Sequence, residues 1–180
     1  FGGDEEYAFA TDGRTLYVTV RIPGHTEPWS TNFDVYAVAT DGSSAPRNLT
    51  AGNPAWDTSP LPSRDGSKLY YLAMKRPGFE SDRYGIMELD LVSGKTREVA
   101  PDWDRSAGRL KLSVDGRPLY TTADALGEHP LFAVDIASGR VKRAAAGGNV
   151  GDFSIAGSRL LLVRDNLQSP AQLYELAANG

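Results

Sequence analysis

Cysteine is absent from these 180 residues, which removes disulfides, thiolate zinc sites and cysteine nucleophiles together and leaves the redox compartment open. Long apolar runs are missing too. None approaches the roughly 20 residues that a spanning helix requires, so no membrane partner is expected. An excess of basic charge is also lacking: 19 Lys and Arg stand against 23 Asp and Glu, for a formal net charge of −4. The cations are scattered along the chain, so nucleic acid is not an expected partner. Histidine occurs only as His25 and His129, in different loops and without a Gly-x-Ser-x-Gly signature, so no serine triad is expected within the chain. Two histidines without cysteine do not make a typical zinc site, and the acidic residues lack calcium-loop spacing. No glycine-rich phosphate loop follows a strand. The expectation is therefore no catalytic residue, no metal and no cofactor. Acidic pairs such as Asp4-Glu5-Glu6, or Glu80 with Asp82, suit acid–base work in principle, but acidic residues in turns are usually solvated. The start, Phe1-Gly2-Gly3-Asp4, has neither a methionine nor a leader pattern and reads as mature or excised.

What is present is an ordinary globular composition, 41% hydrophobic and 23% charged, organised by a repeat. A polar turn followed by an apolar strand occurs at Asp12-Gly13-Arg14-Thr15-Leu16-Tyr17, Asp65-Gly66-Ser67-Lys68-Leu69-Tyr70 and Asp115-Gly116-Arg117-Pro118-Leu119-Tyr120. A decayed copy follows at Ala156-Gly157-Ser158-Arg159-Leu160-Leu161. The spacings are 65−12 = 53, 115−65 = 50 and 156−115 = 41. A second series keeps step: Val35–Val38 before Asp41-Gly42, Met87–Leu91 before Ser93-Gly94, Leu131–Ile136 before Ser138-Gly139, and Leu173–Leu176 before Asn179-Gly180.

An Asp-Gly or Ser-Gly pair between apolar runs supplies the positive-φ positions of tight hairpins. Each unit therefore parses as four short strands, in the first unit near Tyr7–Ala10, Thr15–Arg21, Phe33–Ala39 and Arg47–Thr50. Apolar residues alternate or run in short blocks, and Gly or Pro interrupts every long window, so no helix competes. Four strands per 40 to 50 residues predict an all-β chain, a partial β-propeller of about four blade units of antiparallel strands with the last incomplete. A β-sandwich and an irregular β-solenoid are the alternatives. The units are expected at 1–53, 54–101, 102–147 and 148–180. The fourth stops at the turn that should lead into its last strand, so the sequence predicts an open arc, a domain fragment capable of self-association.

In a four-stranded antiparallel blade the first-to-second and third-to-fourth turns share one end. The second-to-third loops and the links between blades share the other. The glycine turns fall at the first end. The second receives Ile22–Asn32, Lys75–Arg83, Asp124–Glu128 and Asp165–Ser169, with links containing Ala55-Trp56-Asp57 and Asp102-Trp103-Asp104-Arg105. Loops on a rigid scaffold are where binding residues gather, so this end is the candidate face, with aromatics Trp29, Trp56, Phe79 and Trp103. Two roles stand for Trp56 and Trp103: contact with a partner, or blade-to-blade packing with Asp57 and Asp104 pinning the loops.

Phe9-Ala10-Thr11-Asp12-Gly13-Arg14-Thr15-Leu16-Tyr17 resembles the Phe-Ser-Pro-Asp-Gly-Lys-x-Leu repeat of propellers in prolyl oligopeptidase family serine peptidases and in TolB. Later copies depart from it, with Arg64 and Val114 in place of the proline and Ala156 in place of the aspartate. The block Ala55–Pro60, the stretch Ala73–Arg83 and Asp102–Ser106 are similar to the propeller of bacterial dipeptidyl peptidase 5-like and acylaminoacyl peptidases within that family. The resemblance implies a parent enzyme with further blades and a separate α/β-hydrolase domain, absent from this chain, that bears a Ser-Asp-His triad. The propeller would gate and help position peptide substrates. It implies substrate anchors at Glu80 and Asp82, carboxylates suited to a peptide's α-ammonium, oriented by Arg76 and Arg83. A salt-bridged loop staple is the competing role for the same four residues. It further implies a periplasmic or extracellular location. The rival class is a TolB-like propeller that binds a protein and catalyses nothing.

Overall fold

The computed structural model describes residues 3, 6–22, 24–25 and 27–178; Asp4 and Glu5 of the acidic cluster and the Asn179-Gly180 turn lie outside them. The chain divides into two compact units, Phe1–Glu98 and Val99–Gly180.

The first unit holds two antiparallel four-stranded meanders. One runs β1 (Tyr7–Phe9), β2 (Thr15–Val20), β3 (Asp34–Ala39), β4 (Arg47–Asn48). The other runs β5 (Asp57–Pro62), β6 (Lys68–Ala73), β7 (Gly85–Asp90), β8 (Thr96–Glu98). The turns follow from the repeat. Asp12 accepts the Arg14 amide at 2.9 Å, and Asp65 accepts the Ser67 amide at 3.0 Å and the Ser63 hydroxyl at 2.6 Å. Gly13 and Gly66 take φ of 69° and 71°, the left-handed region where a side chain would be strained. The continuous apolar run of β6 is buried along nearly its whole length, whereas β8 is mostly exposed and polar. A strand flanked in its sheet and covered on both faces needs no alternation; one at a sheet edge does. Tyr17, Val35, Leu69, Tyr71, Ala73 and Leu89 form the core of this unit. The one irregularity in β5 is a bulge, with Ser59 at φ 56° and a register shift between Thr58 and Leu61.

The second unit repeats the plan with β9 (Leu110–Leu112), β10 (Pro118–Thr122), β11 (Leu131–Asp135) and β12 (Val141–Ala145) in one sheet. A three-stranded sheet follows, of β13 (Asn149–Ala156), β14 (Arg159–Asn166) and β15 (Ser169–Ala177). Tyr120, Leu131, Val150, Phe153, Leu160 and Leu162 make its core. The decayed turn at Ala156-Gly157 still closes β13 onto β14 with Gly157 at φ 60°. The glycine conformation is thus kept in the copy where the aspartate cap is lost. The architecture is all-β and propeller-like: successive antiparallel meanders of four strands, the last of three among the described residues.

Candidate binding face

Within the first unit, strand direction puts the 21–33 and 74–84 loops and the 49–56 link at the same end of their sheets, away from the glycine turns. The first loop is drawn in by Arg21. Its guanidinium donates to the carbonyls of Glu27 and Ser30 at 2.8 and 2.6 Å and pairs with the Glu27 carboxylate at 3.1 Å. The short 3₁₀ turn Glu27–Trp29 that results leaves Trp29 79% exposed. Ile22, at the root of the loop, is 68% exposed.

The second loop is built around one carboxylate. Asp82 Oδ2 accepts the backbone amides of Lys75 and Arg76, both at 2.8 Å, and closes the loop on itself. Desolvation pushes this carboxyl up, but the amides of Lys75, Arg76 and Arg83 and the Arg76 charge pull harder, and it ends below the ordinary range. Arg76 lies 4.0 Å over the Phe79 ring. Glu98, in β8 with a side chain only 8% exposed, pairs with Lys75 Nζ and Arg83 Nη2, both at 2.6 Å. Desolvation again works against ionisation, and the two cations overcome it, so Glu98 is held below its usual value. The Gly78 amide donates to Thr31 Oγ1 at 2.9 Å and joins the two loops.

Of the residues singled out in the sequence, Arg76, Phe79, Glu80, Asp82 and Arg83 thus share one loop, beside the loop bearing Trp29. Their roles differ. Asp82 is engaged by backbone donors and Arg83 by Glu98, so both shape the loop, while Glu80 is exposed and has no ion pair among the described residues. Sequence reasoning missed Glu98, because nothing in Thr96-Arg97-Glu98 marks it as the partner of a loop 15 and 23 positions away.

Below the loops, Trp56 stacks on Phe33 with ring centroids 4.3 Å apart and planes at 13°, and meets Tyr84 edge-on at 6.2 Å. That is a packing geometry. Asp57 beside it is fully buried, whereas Asp104 is exposed. The two Trp-Asp links are not equivalent: Asp57 begins β5, while Asp104 precedes β9 by six positions (110−104 = 6). Trp103, in the second unit, packs edge-on against Phe132 at 5.2 Å.

His129 in the second unit contacts Asp124 at 2.7 Å, but among the described residues no serine hydroxyl bonds to its ring. No group of three or more His, Cys, Asp or Glu among the described residues could hold a metal ion. No helix among them is long and apolar enough to cross a membrane.

Fold and face define a run of propeller blades of the Asp-Gly type. In solved structures the chain matches the β-propeller domain of the trilobed protease from Pyrococcus furiosus, with a TM-score of 0.71 at 15% identity over 97% of this chain and 53% of that one. It also matches TolB from Acinetobacter baumannii, with a TM-score of 0.68 at 17% identity over 97% of this chain and 41% of that one. These likenesses are of fold. No family model matches the chain. By sequence it is 27% identical over 178 residues to dipeptidyl-peptidase 5 of Porphyromonas gingivalis, covering 98% of this chain and 26% of the relative. It is 31% identical over 194 residues to dipeptidyl-peptidase 5 of Arthroderma otae, covering 100% of this chain and 27% of the relative. By sequence the chain is a homologue of dipeptidyl-peptidase 5, and by fold it is similar to peptidase propeller domains. It spans about a quarter of the length of the curated relatives it matches.

Proposed function

We propose that this chain is the propeller part of a serine exopeptidase or oligopeptidase. It gates and helps position peptides for a separate α/β-hydrolase domain that performs the acyl transfer. Glu80 carries the reading. It is the carboxylate of the 74–84 loop that no donor among the described residues engages, on a loop locked by Asp82 and flanked by exposed Trp29 and Phe79. A carboxylate so placed suits the α-ammonium of a peptide, and the neighbouring aromatics suit an apolar side chain. The remaining blades, the hydrolase domain and a peptide are the partners this reading requires. An exported protein, periplasmic or extracellular, is part of this proposal, and cell fractionation tests it.

The test is kinetic and uses the full-length protein. Glu80→Gln should raise KM for peptides with a free amino terminus by about tenfold, the equivalent of about 1.4 kcal/mol, and leave N-acetylated peptides unchanged. An equal effect on both classes, or none, removes Glu80 as the anchor. A full-length protein without peptidase activity would instead favour the TolB-like, purely binding reading.

A further inference from the structure

Beneath the binding face lie two carboxylates that the proposed function does not use. Asp57 is 0% exposed. Its Oδ1 accepts the Asn53 amide at 2.8 Å, and its Oδ2 has no donor within hydrogen-bond distance among the described residues. Asp34, also buried, accepts Thr50 Oγ1 at 3.1 Å, and that hydroxyl is itself held by the Val35 amide at 3.0 Å. In the orientation that satisfies both of its ends, the Asn32 amide donates to the carbonyls of Asn53 and Ala55 at 3.1 and 2.9 Å. That orientation turns its oxygen toward Asp34. No lysine, arginine or histidine among the described residues pairs with either carboxylate. Asp34 of β3 and Tyr71 of β6 are the titratable groups that act on Asp57 or are acted on by it, while Thr19 of β2, Thr58 of β5, and Thr50 and Asn53 of the link are neutral. Two buried negative charges without a cation are not tenable together.

The same residues are the roots of the loops. The Asp57 amide donates to the Phe33 carbonyl at 2.8 Å, where the 21–33 loop ends. The Asn53 amide nitrogen that binds Asp57 also binds the Met74 carbonyl at 2.9 Å, where the 74–84 loop begins. Met74 in turn donates its amide to the Trp56 carbonyl at 2.8 Å.

We propose that Asp34 and Asp57 form a proton-operated joint: with a proton on Asp57 the pair is closed and both loops are held, and with both carboxylates ionised the joint loosens and the loops gain motion. Burial, with Asp34 adding to it, pushes the Asp57 carboxyl up to about 7 against the pull of Asn53 and Thr50, so the change falls near neutrality. The proton moves between Asp57 Oδ2 and solvent, and no other group changes charge.

Carbon-13 NMR of the whole chain, labelled at aspartate, reads the titration directly. One side-chain carboxyl should titrate near neutral pH, and Asp34→Asn should lower its midpoint. Hydrogen-exchange protection of the Lys75–Arg83 amides, corrected for intrinsic rate, should fall about tenfold between about pH 5 and pH 8, and Asp57→Asn should flatten that fall. The proposal is overturned if every aspartate titrates in the ordinary range, which the native chain alone can show even if Asp57→Asn does not fold. It is overturned equally if Asp57→Asn keeps the pH dependence. If millimolar calcium at about pH 8 restores protection as acid does, a cation rather than a proton closes the pair, and the proposal fails in that way too.

Discussion

The Gly78 amide donates to the Thr31 hydroxyl at 2.9 Å, and this bond is a polar link from the crest of the 74–84 loop to the neighbouring 21–33 loop. Thr31 is itself buried, so its hydroxyl is a fixed acceptor rather than a surface group. Thr31→Val keeps the shape and removes the acceptor. The expected cost is about 1 kcal/mol of stability, read in urea melts, with faster exchange at the Gly78 amide and little change at sites on the glycine-turn end. Unchanged exchange at Gly78 would mean that the loops are positioned independently of each other.

Asp82 organises the second loop, so Asp82→Ala should release it. Removing a carboxylate that accepts two backbone amides at 2.8 Å should cost about 1–3 kcal/mol and speed tryptic cleavage after Lys75 at neutral pH. The pH dependence has a definite sign. The Asp82 carboxyl lies below its ordinary value in the folded chain, so its contribution is present above the unfolded carboxylate range and is lost as pH falls through the folded value. Acidification should therefore loosen the native loop, while the Asp82→Ala loop is already loose at neutral pH. Acid thus acts on this loop in opposite senses in two ranges: near neutrality it closes the proposed Asp57 joint, and below the ordinary carboxylate range it releases Asp82.

Much of the architecture was legible because the turns are local. Asp12, Asp65 and Asp115 each cap their own hairpin two residues on, beside a positive-φ glycine, so a run of four residues carries both the cap and the conformation. The loop-bearing end was legible for the same reason, since strand count alone assigns each loop to an end. What the sequence hid depends on register. Glu98 reaches Lys75 and Arg83 only because Gly85–Asp90 and Thr96–Glu98 pair as neighbours. Asp57 and Asp104 look alike as Trp-Asp pairs, yet the distance to the next Asp-Gly turn is 65−57 = 8 in one and 115−104 = 11 in the other. Three extra residues shift Asp104 away from the strand, and β9, which starts five residues before Asp115 (115−110 = 5) where β5 starts eight before Asp65 (65−57 = 8), leaves it outside. The distance to the turn was available in the sequence and is the signal that separates them. The bulge at Ser59 has no such signal.

Two glycines with the same backbone angle should respond differently to alanine. Gly94 at φ 71° has nothing within 4 Å of an added Cβ, whereas at Gly139, φ 70°, that atom would lie 2.5 Å from the Val99 carbonyl oxygen. Gly94→Ala should cost only the left-handed penalty, about 1 kcal/mol. Gly139→Ala carries the same penalty plus a backbone clash, and the second unit should lose at least about 1 kcal/mol more than the first does. Chemical denaturation followed through the Trp103 environment, compared with the Gly94 variant, checks the difference. Equal losses would mean that the 138–140 turn shifts freely away from Val99.

The hairpin between β10 and β11 turns on Leu126 and Gly127, both at positive φ, 56° and 82°. Ala125 and Glu128 exchange backbone bonds on either side, the Ala125 amide to the Glu128 carbonyl at 2.8 Å and the reverse at 3.2 Å. This is a two-residue turn of the kind that favours Asn-Gly, and a leucine at its first central position is held where L residues are strained. Leu126 is also 92% exposed, so it gains nothing from packing within the unit. Leu126→Asn should therefore stabilise the second unit by about 0.5–1 kcal/mol, measured as a rise in Tm. If stability falls instead, the leucine contributes through a contact made outside the unit. The next step is then to ask whether the same substitution weakens binding of a peptide to the full-length protein, because an apolar tip kept at a cost in backbone strain is expected of a residue that meets a partner.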